Sequence, residues 1–210
     1  MRIITISRQF GSGGRELGKR LSDILGWDYY DREIIEKLAL DSGLDTEYVT
    51  HVLNNHEWHS VPLTYRNSFA AATLTPSVQT ELMKKQREII EQIAAAGNDC
   101  IIVGRDADII LREYKPFRIF VCADIEDRVR RCMKHEEKKT SGQLTEREIR
   151  RNIRKIDKKR IQVRELLTGK DWGDASCFDI TVNAGGRDLK SLSLLLSDFI
   201  LKWFEEYGCK

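Results

Sequence analysis

The chain has only three prolines in 210 residues, no low-complexity tract and no internal repeat, so nothing in it marks a disordered segment or a repeat array. Its five cysteines (Cys100, Cys122, Cys132, Cys177 and Cys209) are odd in number, scattered, and contain no C-x-x-C pair. Without paired spacing they support neither a disulfide framework nor a zinc site; small buried thiols in a reducing compartment account for them. No apolar run is long enough to span a bilayer, and the apolar part of Met1–Ile6 is too short for a signal peptide. A cytoplasmic protein without a membrane partner is expected. The formal net charge is only +2, so the distribution of charge carries more information than its sum.

Hydrophobic residues make up 41% of the chain and charged residues 32%, enough for one sizeable core under a well-solvated surface. Strand-like and helix-like stretches alternate. Arg2–Ile6 reads as a first strand, and Glu16–Leu25 as a helix through Leu17, Leu21 and Leu25. Trp27–Tyr30 reads as a second strand, with Asp31 capping a helix through Ile34, Ile35 and Leu38. Further helices are expected over Val78–Ala96, around Ile109–Leu111, after Asp124 and over Leu189–Trp203. Further strands are expected at Cys100–Val103, Phe117–Cys122 and Phe178–Val182. Thr145-x-x-Glu148 is a capping box that opens a long helix with Ile149, Ile153, Ile156 and Val163 as its apolar stripe. Such alternation predicts an α/β fold: a parallel sheet with helices on both faces, and ligands beyond the C-terminal strand ends. One domain over 1–210 is expected, with a core of about 1–43 and 83–210. The polar, proline-punctuated stretch 44–82 reads as a helical insertion, and about 136–150 as a lid.

Three constellations carry candidate chemistry. The first is Ser7-Arg8-Gln9-Phe10-Gly11-Ser12-Gly13-Gly14-Arg15-Glu16, between the first strand and first helix. Glycines there let successive N–H groups and a helix N-terminus converge on an anion. The G-x-x-x-x-G-K-[ST] string is absent: aligned without gaps, Arg8 replaces its first glycine, Gly14 its lysine and Arg15 its hydroxyl residue. With a one-residue bulge, Arg15 stands where the lysine would. Arg8, Gly11, Ser12, Gly13, Gly14, Arg15 and Glu16 are the candidate phosphate-binding set; a plain tight turn is the alternative. The second constellation is Gly104-Arg105-Asp106, a charged pair directly after a buried strand, suited either to ligand contact or to an internal ion pair. The third is the basic stretch from Arg128 to Lys170. Within it Asp157, Arg160 and Arg164 share one helix face, which Arg150 and Arg154 also join. His51, His56 and His59 lie close together but lack carboxylate spacing, and no metal-ligand set is expected.

The glycine loop together with Tyr29-Tyr30-Asp31-Arg32-Glu33, Gly104-Arg105-Asp106, Arg128-Val129-Arg130-Arg131, Asp157-Lys158-x-Arg160 and Thr168–Asp174 resembles the cytidylate kinase-like family, relatives of bacterial CMP kinase. Coverage is nearly end to end; 44–82 is the least matched part, and Cys122 stands where CMP kinases tend to carry an aspartate. The resemblance implies a P-loop NTPase-type fold with an acceptor-binding insertion and a mobile lid. It also implies ATP-dependent phosphoryl transfer to a nucleoside monophosphate, CMP or dCMP first, with Mg2+ bridging the donor phosphates. Small-molecule nucleotides are then the partners, not nucleic acid. Arg15 is a catalytic candidate by its position, since it and Arg8 flank a glycine loop that otherwise lacks a cation, and Arg160 and Arg164 are candidates by their shared helix face. By the resemblance Asp31 joins them, with Arg32, Arg105, Asp106 and Asp157 as the acceptor-binding set. Two alternatives stay open: a P-loop kinase for another small acceptor, and a nucleotide-sensing module without transfer activity.

Overall fold

A computed structural model describes residues 1–32, 34, 35, 76–136 and 144–208. Five strands, β1 (Ile3–Arg8), β2 (Asp28–Tyr30), β3 (Cys100–Val103), β4 (Phe117–Cys122) and β5 (Ile180–Asn183), form one sheet in the order β2-β3-β1-β4-β5. Every pairing is parallel, with Ile4 of β1 opposite Ile101 of β3 and Phe117 of β4. Parallel strands need crossovers, and the helices supply them: α1 (Gly14–Leu25), α2 (Pro76–Ala95), the short α3 (Ala107–Ile110), α4 (Ile125–Glu136), α5 (Glu146–Thr168) and α6 (Leu189–Tyr207). Since β1 lies between β3 and β4, the chain reverses direction across the sheet there. The loop after β1 therefore opens into the crevice where ligands of such sheets bind.

The central strands read as unbroken apolar runs because both their faces are covered. Ile4, Ile101, Ile102, Val103, Ile119 and Val121 are wholly buried in the main cluster, with Leu17 and Leu21 of α1, Ile90 of α2 and Ile200 of α6. Gly18 lets α1 lie close on the sheet: a Cβ there would stand 2.8 Å from Val103 and 3.1 Å from Ile6. Trp27 is buried and Trp203 packs on Phe117 with ring centroids 4.7 Å apart, both as packing anchors. A second cluster, Phe10, Val129, Cys132, Ile149 and Ile153, joins the loop after β1 to α4 and α5. Cys100, Cys132 and Cys177 are buried free thiols, and Cys122 is half-buried. No described helix is long and apolar enough to cross a membrane.

Most element bounds agree with the sequence reading to within about two residues; β1 runs on to Arg8 and α6 to Tyr207, and there are three further shifts. Helix α1 begins at Gly14 rather than Glu16, so the loop's last glycine is already helical. The last strand is Ile180–Asn183 rather than Phe178–Val182: Phe178 is apolar because it stacks on Phe120, at 5.0 Å between centroids, not because it joins the sheet. Helix α2 starts at Pro76, inside the stretch read as insertion. The remainder of that stretch, with its three histidines and Trp58, the lid segment at 137–143 and Cys209 all lie outside the described residues. The capping box at Thr145 is present, with the Glu148 N–H donating to Thr145 Oγ1 and the Thr145 N–H to Glu148 Oε2.

Candidate active site

The loop from Gln9 to Gly13 turns β1 into α1 beside the end of β4. Gln9 donates its N–H to the Val121 carbonyl at 2.9 Å, and its side-chain oxygen accepts from the Ala123 N–H at 3.1 Å. Gly11 and Gly13 sit at φ 78° and 92°, a left-handed backbone that glycine adopts without a Cβ penalty. Ser12 is fully buried, and its hydroxyl donates inward to the Gln9 and Val121 carbonyls at 2.9 and 3.1 Å. At Gly14 a Cβ would stand 2.7 Å from the Arg8 Cβ. Helix α1 thus starts with a left-handed cap, Gly13, that makes no side-chain hydrogen bond, and the first N–H groups of a helix have no acceptor within it.

The arginines divide into two kinds. Arg15 donates from Nε to Asp31 at 2.6 Å, and Asp31, 1% exposed, also accepts from the Ile34 N–H at 3.2 Å. Tyr29 adds its hydroxyl to both, at 3.2 Å to the Arg15 carbonyl and 3.5 Å to Asp31, and burial together with the Asp31 charge pushes its phenol up. Arg8, by contrast, crosses to β3: a Cβ at Gly104 would fall on its guanidinium. Burial, and next the charge of Arg160, bring Arg8 down to about 9, and Arg32 adds to the repulsion. Arg160 is brought down to about 10, first by burial, while Asp157 opposes the shift and Arg32, Arg128 and Arg105 contribute to it. Arg8, Arg32, Arg105 and Arg160 therefore share one electropositive crevice at the C-terminal ends of β1 and β3. Asp157, 3.4 Å from Arg160, and the charge of Asp31 near Arg8 offset part of that mutual repulsion.

Gly104, Arg105 and Asp106 run through three consecutive left-handed conformations, φ 82°, 61° and 50°. Arginine and aspartate in that region cost roughly 1 kcal/mol or more each, and such strain collects where side chains must be held in a fixed direction. Burial, then the charge of Asp108, raise the Asp106 carboxyl, while Arg164, Arg8 and Arg105 pull it back.

Several candidates stand elsewhere than the crevice. Glu16 is exposed on α1 and pairs with Arg20 at 2.9 Å, away from the loop interior. Arg164, 4% exposed, is paired with Asp108 at 2.5 Å and lies 5.4 Å over the Phe178 ring, inside the fold. Asp157 lies against the loop itself, accepting from the Phe10 N–H at 2.9 Å and from Arg128. Arg150 is engaged by Glu146 and Glu126, and Arg154 is exposed. Asn183–Gly186 forms a turn in which Asn183 Oδ1 accepts from the Gly185 N–H at 2.9 Å.

Sequence reading passed over two residues as separate actors. Arg131 of α4 places its guanidinium where a Cβ on Gly13 would be, and it donates to the Ala184 carbonyl at 3.4 Å. Arg128 donates from Nε to the Phe10 carbonyl at 2.8 Å. Their spacing of three, on the helix that follows β4, puts both on the face turned to the loop, and that spacing was the available signal.

A glycine turn that leads into a helix start is of the kind that suits a phosphate group. For Mg2+ the fit is different: the first turn of α1 is Gly14-Arg15-Glu16-Leu17, without a hydroxyl, and the Ser12 hydroxyl is committed inward. No group of three metal-ligating side chains occurs among the described residues.

Comparison with known proteins agrees with this geometry. The sequence model of the cytidylate kinase-like family matches residues 3–185. A cytidylate kinase of Onion yellows phytoplasma (strain OY-M) is 26% identical over 204 residues, 85% of this chain and 87% of that protein. Among solved structures, an uncharacterized protein from Eubacterium ventriosum ATCC 27560 superposes with a TM-score of 0.68 at 21% identity, over 95% of this chain and 98% of the other. The shikimate kinases of Bacteroides thetaiotaomicron and Acinetobacter baumannii, the latter solved with shikimate, give TM-scores of 0.54 and 0.52 at 11% and 10% identity. Both cover 95% or more of this chain and at least 93% of their own. The shared architecture is the parallel sheet with helices on its faces.

Proposed function

Because the chain belongs to the cytidylate kinase-like family, we propose that it transfers the terminal phosphoryl group of magnesium-bound ATP to a nucleoside monophosphate, with CMP or dCMP as first choice. The observation that carries this reading is the convergence of Arg8, Arg32, Arg105 and Arg160 beside a glycine loop at the start of α1. That arrangement supports a reading with two anion positions. Backbone N–H groups of the loop suit the donor phosphates, and the guanidinium crevice suits the acceptor phosphate. In the transfer, an acceptor phosphate oxygen attacks the γ-phosphorus, the bond to the β,γ-bridging oxygen breaks and ADP leaves. No covalent protein intermediate is needed: the protein holds two anions together and screens their repulsion.

Arg131 places its guanidinium beside Gly13 while Arg15 is paired with Asp31, so Arg131 is the better candidate for the cation that a P-loop lysine supplies. Arg105 and Asp106, held by their strained turn, suit the acceptor's phosphate and its ribose or base. The pairing of Arg15 with Asp31 favours a second reading, in which the chain binds nucleotide without transferring it.

One experiment separates these readings: titration with ATP and with CMP, dCMP, UMP and AMP by calorimetry, alongside ADP formation with Mg2+ present. ADP formation that depends on CMP or dCMP is the expected outcome. ATP binding with no transfer to any of these monophosphates overturns the proposed reaction, in favour of a sensing module or a kinase for another acceptor.

A further inference from the structure

The loop that receives phosphates is held by more than its own strand and helix. Phe10 is gripped by its ring, its N–H and its carbonyl. The ring is buried with Val129 and Cys132 of α4 and Ile149 and Ile153 of α5. The N–H donates to Asp157 Oδ1 at 2.9 Å, and the carbonyl accepts from Arg128 Nε at 2.8 Å. Arg128 Nη2 then donates to Asp157 Oδ2 and closes the circuit. One turn along α5, Arg160 donates to the Arg8 carbonyl at 2.7 Å and approaches Asp157 Oδ1 at 3.4 Å. On the other side of the loop a Cβ at Gly11 would stand 3.0 Å from the Arg128 carbonyl and from Cys132 Sγ, so α4 backs it directly.

Phe10, Arg128 and Asp157 are 9%, 7% and 8% exposed. A buried ion pair adds little stability over an apolar pair, but when every lone pair and proton is used it fixes geometry closely. Both oxygens of Asp157 are engaged here, one by a backbone N–H of the loop and one by Arg128.

We propose that Arg128 and Asp157 are positioning residues. They set the Phe10 peptide so that Gly11–Gly13 face the donor phosphates, and they join the loop to the α4–α5 pair as one body. Donor binding and the arrangement of α4 and α5 are then a single equilibrium. This rests on reading the loop as the donor site, and it assigns Asp157 to the donor loop, not to the acceptor.

The test compares the full-length protein with Asp157→Ala and Asp157→Asn, each checked for folding by circular dichroism. The readouts are amide hydrogen exchange at Phe10 by NMR without ligand, and dissociation constants for ATP, inorganic tripolyphosphate and CMP. Asp157→Ala is expected to speed Phe10 exchange and weaken both triphosphates by about tenfold, as loss of a charge-assisted bond implies. Asp157→Asn keeps an acceptor for the Phe10 N–H, retains most of the protection, and recovers part of the affinity. CMP affinity is expected to change by less than about twofold in either variant.

Loss of CMP affinity with triphosphate binding intact overturns the proposal in favour of an acceptor contact. Faster Phe10 exchange with unchanged triphosphate binding, or equal loss of all ligands, overturns it in favour of a merely structural pair. Unchanged Phe10 exchange in Asp157→Ala also overturns it. If the unmodified protein binds neither ATP nor tripolyphosphate, the donor-site reading fails first, and that result appears in the parent protein before any variant is compared.

Discussion

Two left-handed turns meet at the C-terminal edge of the sheet, and they are built on opposite principles. The turn after β1 places glycine at its positive-φ positions, Gly11 and Gly13, and in the proposed function its backbone N–H groups receive the donor phosphates. The turn after β3 opens with Gly104 but then forces Arg105 and Asp106 through φ 61° and 50°. Glycine serves where the backbone is the binding surface. Where a side chain has to be aimed, the chain accepts strain of order 1 kcal/mol per residue to aim it. The two turns also interlock, because the Arg8 guanidinium from the first fills the space that the missing Cβ of Gly104 leaves in the second.

Substitutions sharpen this contrast. Gly104→Val is expected to have the largest effect, since it adds left-handed strain and drives a branched side chain into Arg8, for about 3–5 kcal/mol of lost stability. Chemical denaturation measures this, and a loss under about 1 kcal/mol would show that Arg8 simply moves away.

Gly13→Val comes next, at about 2–4 kcal/mol, because its Cβ meets the Arg131 guanidinium and Leu189 and its φ is 92°. It is also expected to abolish triphosphate binding in calorimetry, with the remaining fold intact by circular dichroism. Retained binding would mean that the backbone at Gly13 does not face the phosphates.

Gly26→Ala is the control for strain alone. Its φ is 68° but nothing lies within 4 Å of an added Cβ, so about 1 kcal/mol is expected from the same denaturation series, with no change in ligand affinity.

The smallest stability effect, and the most telling, is expected for Arg105→Gly. Relief of the left-handed strain raises stability by up to about 1 kcal/mol, while the affinity for the acceptor monophosphate falls about tenfold or more. If Arg105→Gly instead lowers stability as much as Gly104→Val does, the second turn is a structural brace and the contrast between the two turns collapses.

What the sequence by itself determined is what interactions between near neighbours determine. The apolar runs of β1, β3 and β4 read correctly because a strand buried on both faces leaves an unbroken hydrophobic signal. The start of α5 read correctly because a capping box is completed within four residues. The glycine loop and the Gly104-Arg105-Asp106 turn could be placed at the ligand end of the sheet because each directly follows a strand.

Which partner each charged residue takes was decided only by tertiary structure. The sequence shows an arginine beside glycines at Arg15, but not that Asp31, the residue just after the second strand, binds it at 2.6 Å. It shows Asp157, Arg160 and Arg164 on one helix face. Folding then sends Asp157 to a backbone N–H 147 residues away, Arg160 to the Arg8 carbonyl, and Arg164 to Asp108 in the interior. Charge type and helical spacing constrain such groups only to a face. The burial that makes one partner worth far more than water comes from the strand order β2-β3-β1-β4-β5, which brings segments distant in the chain to one edge.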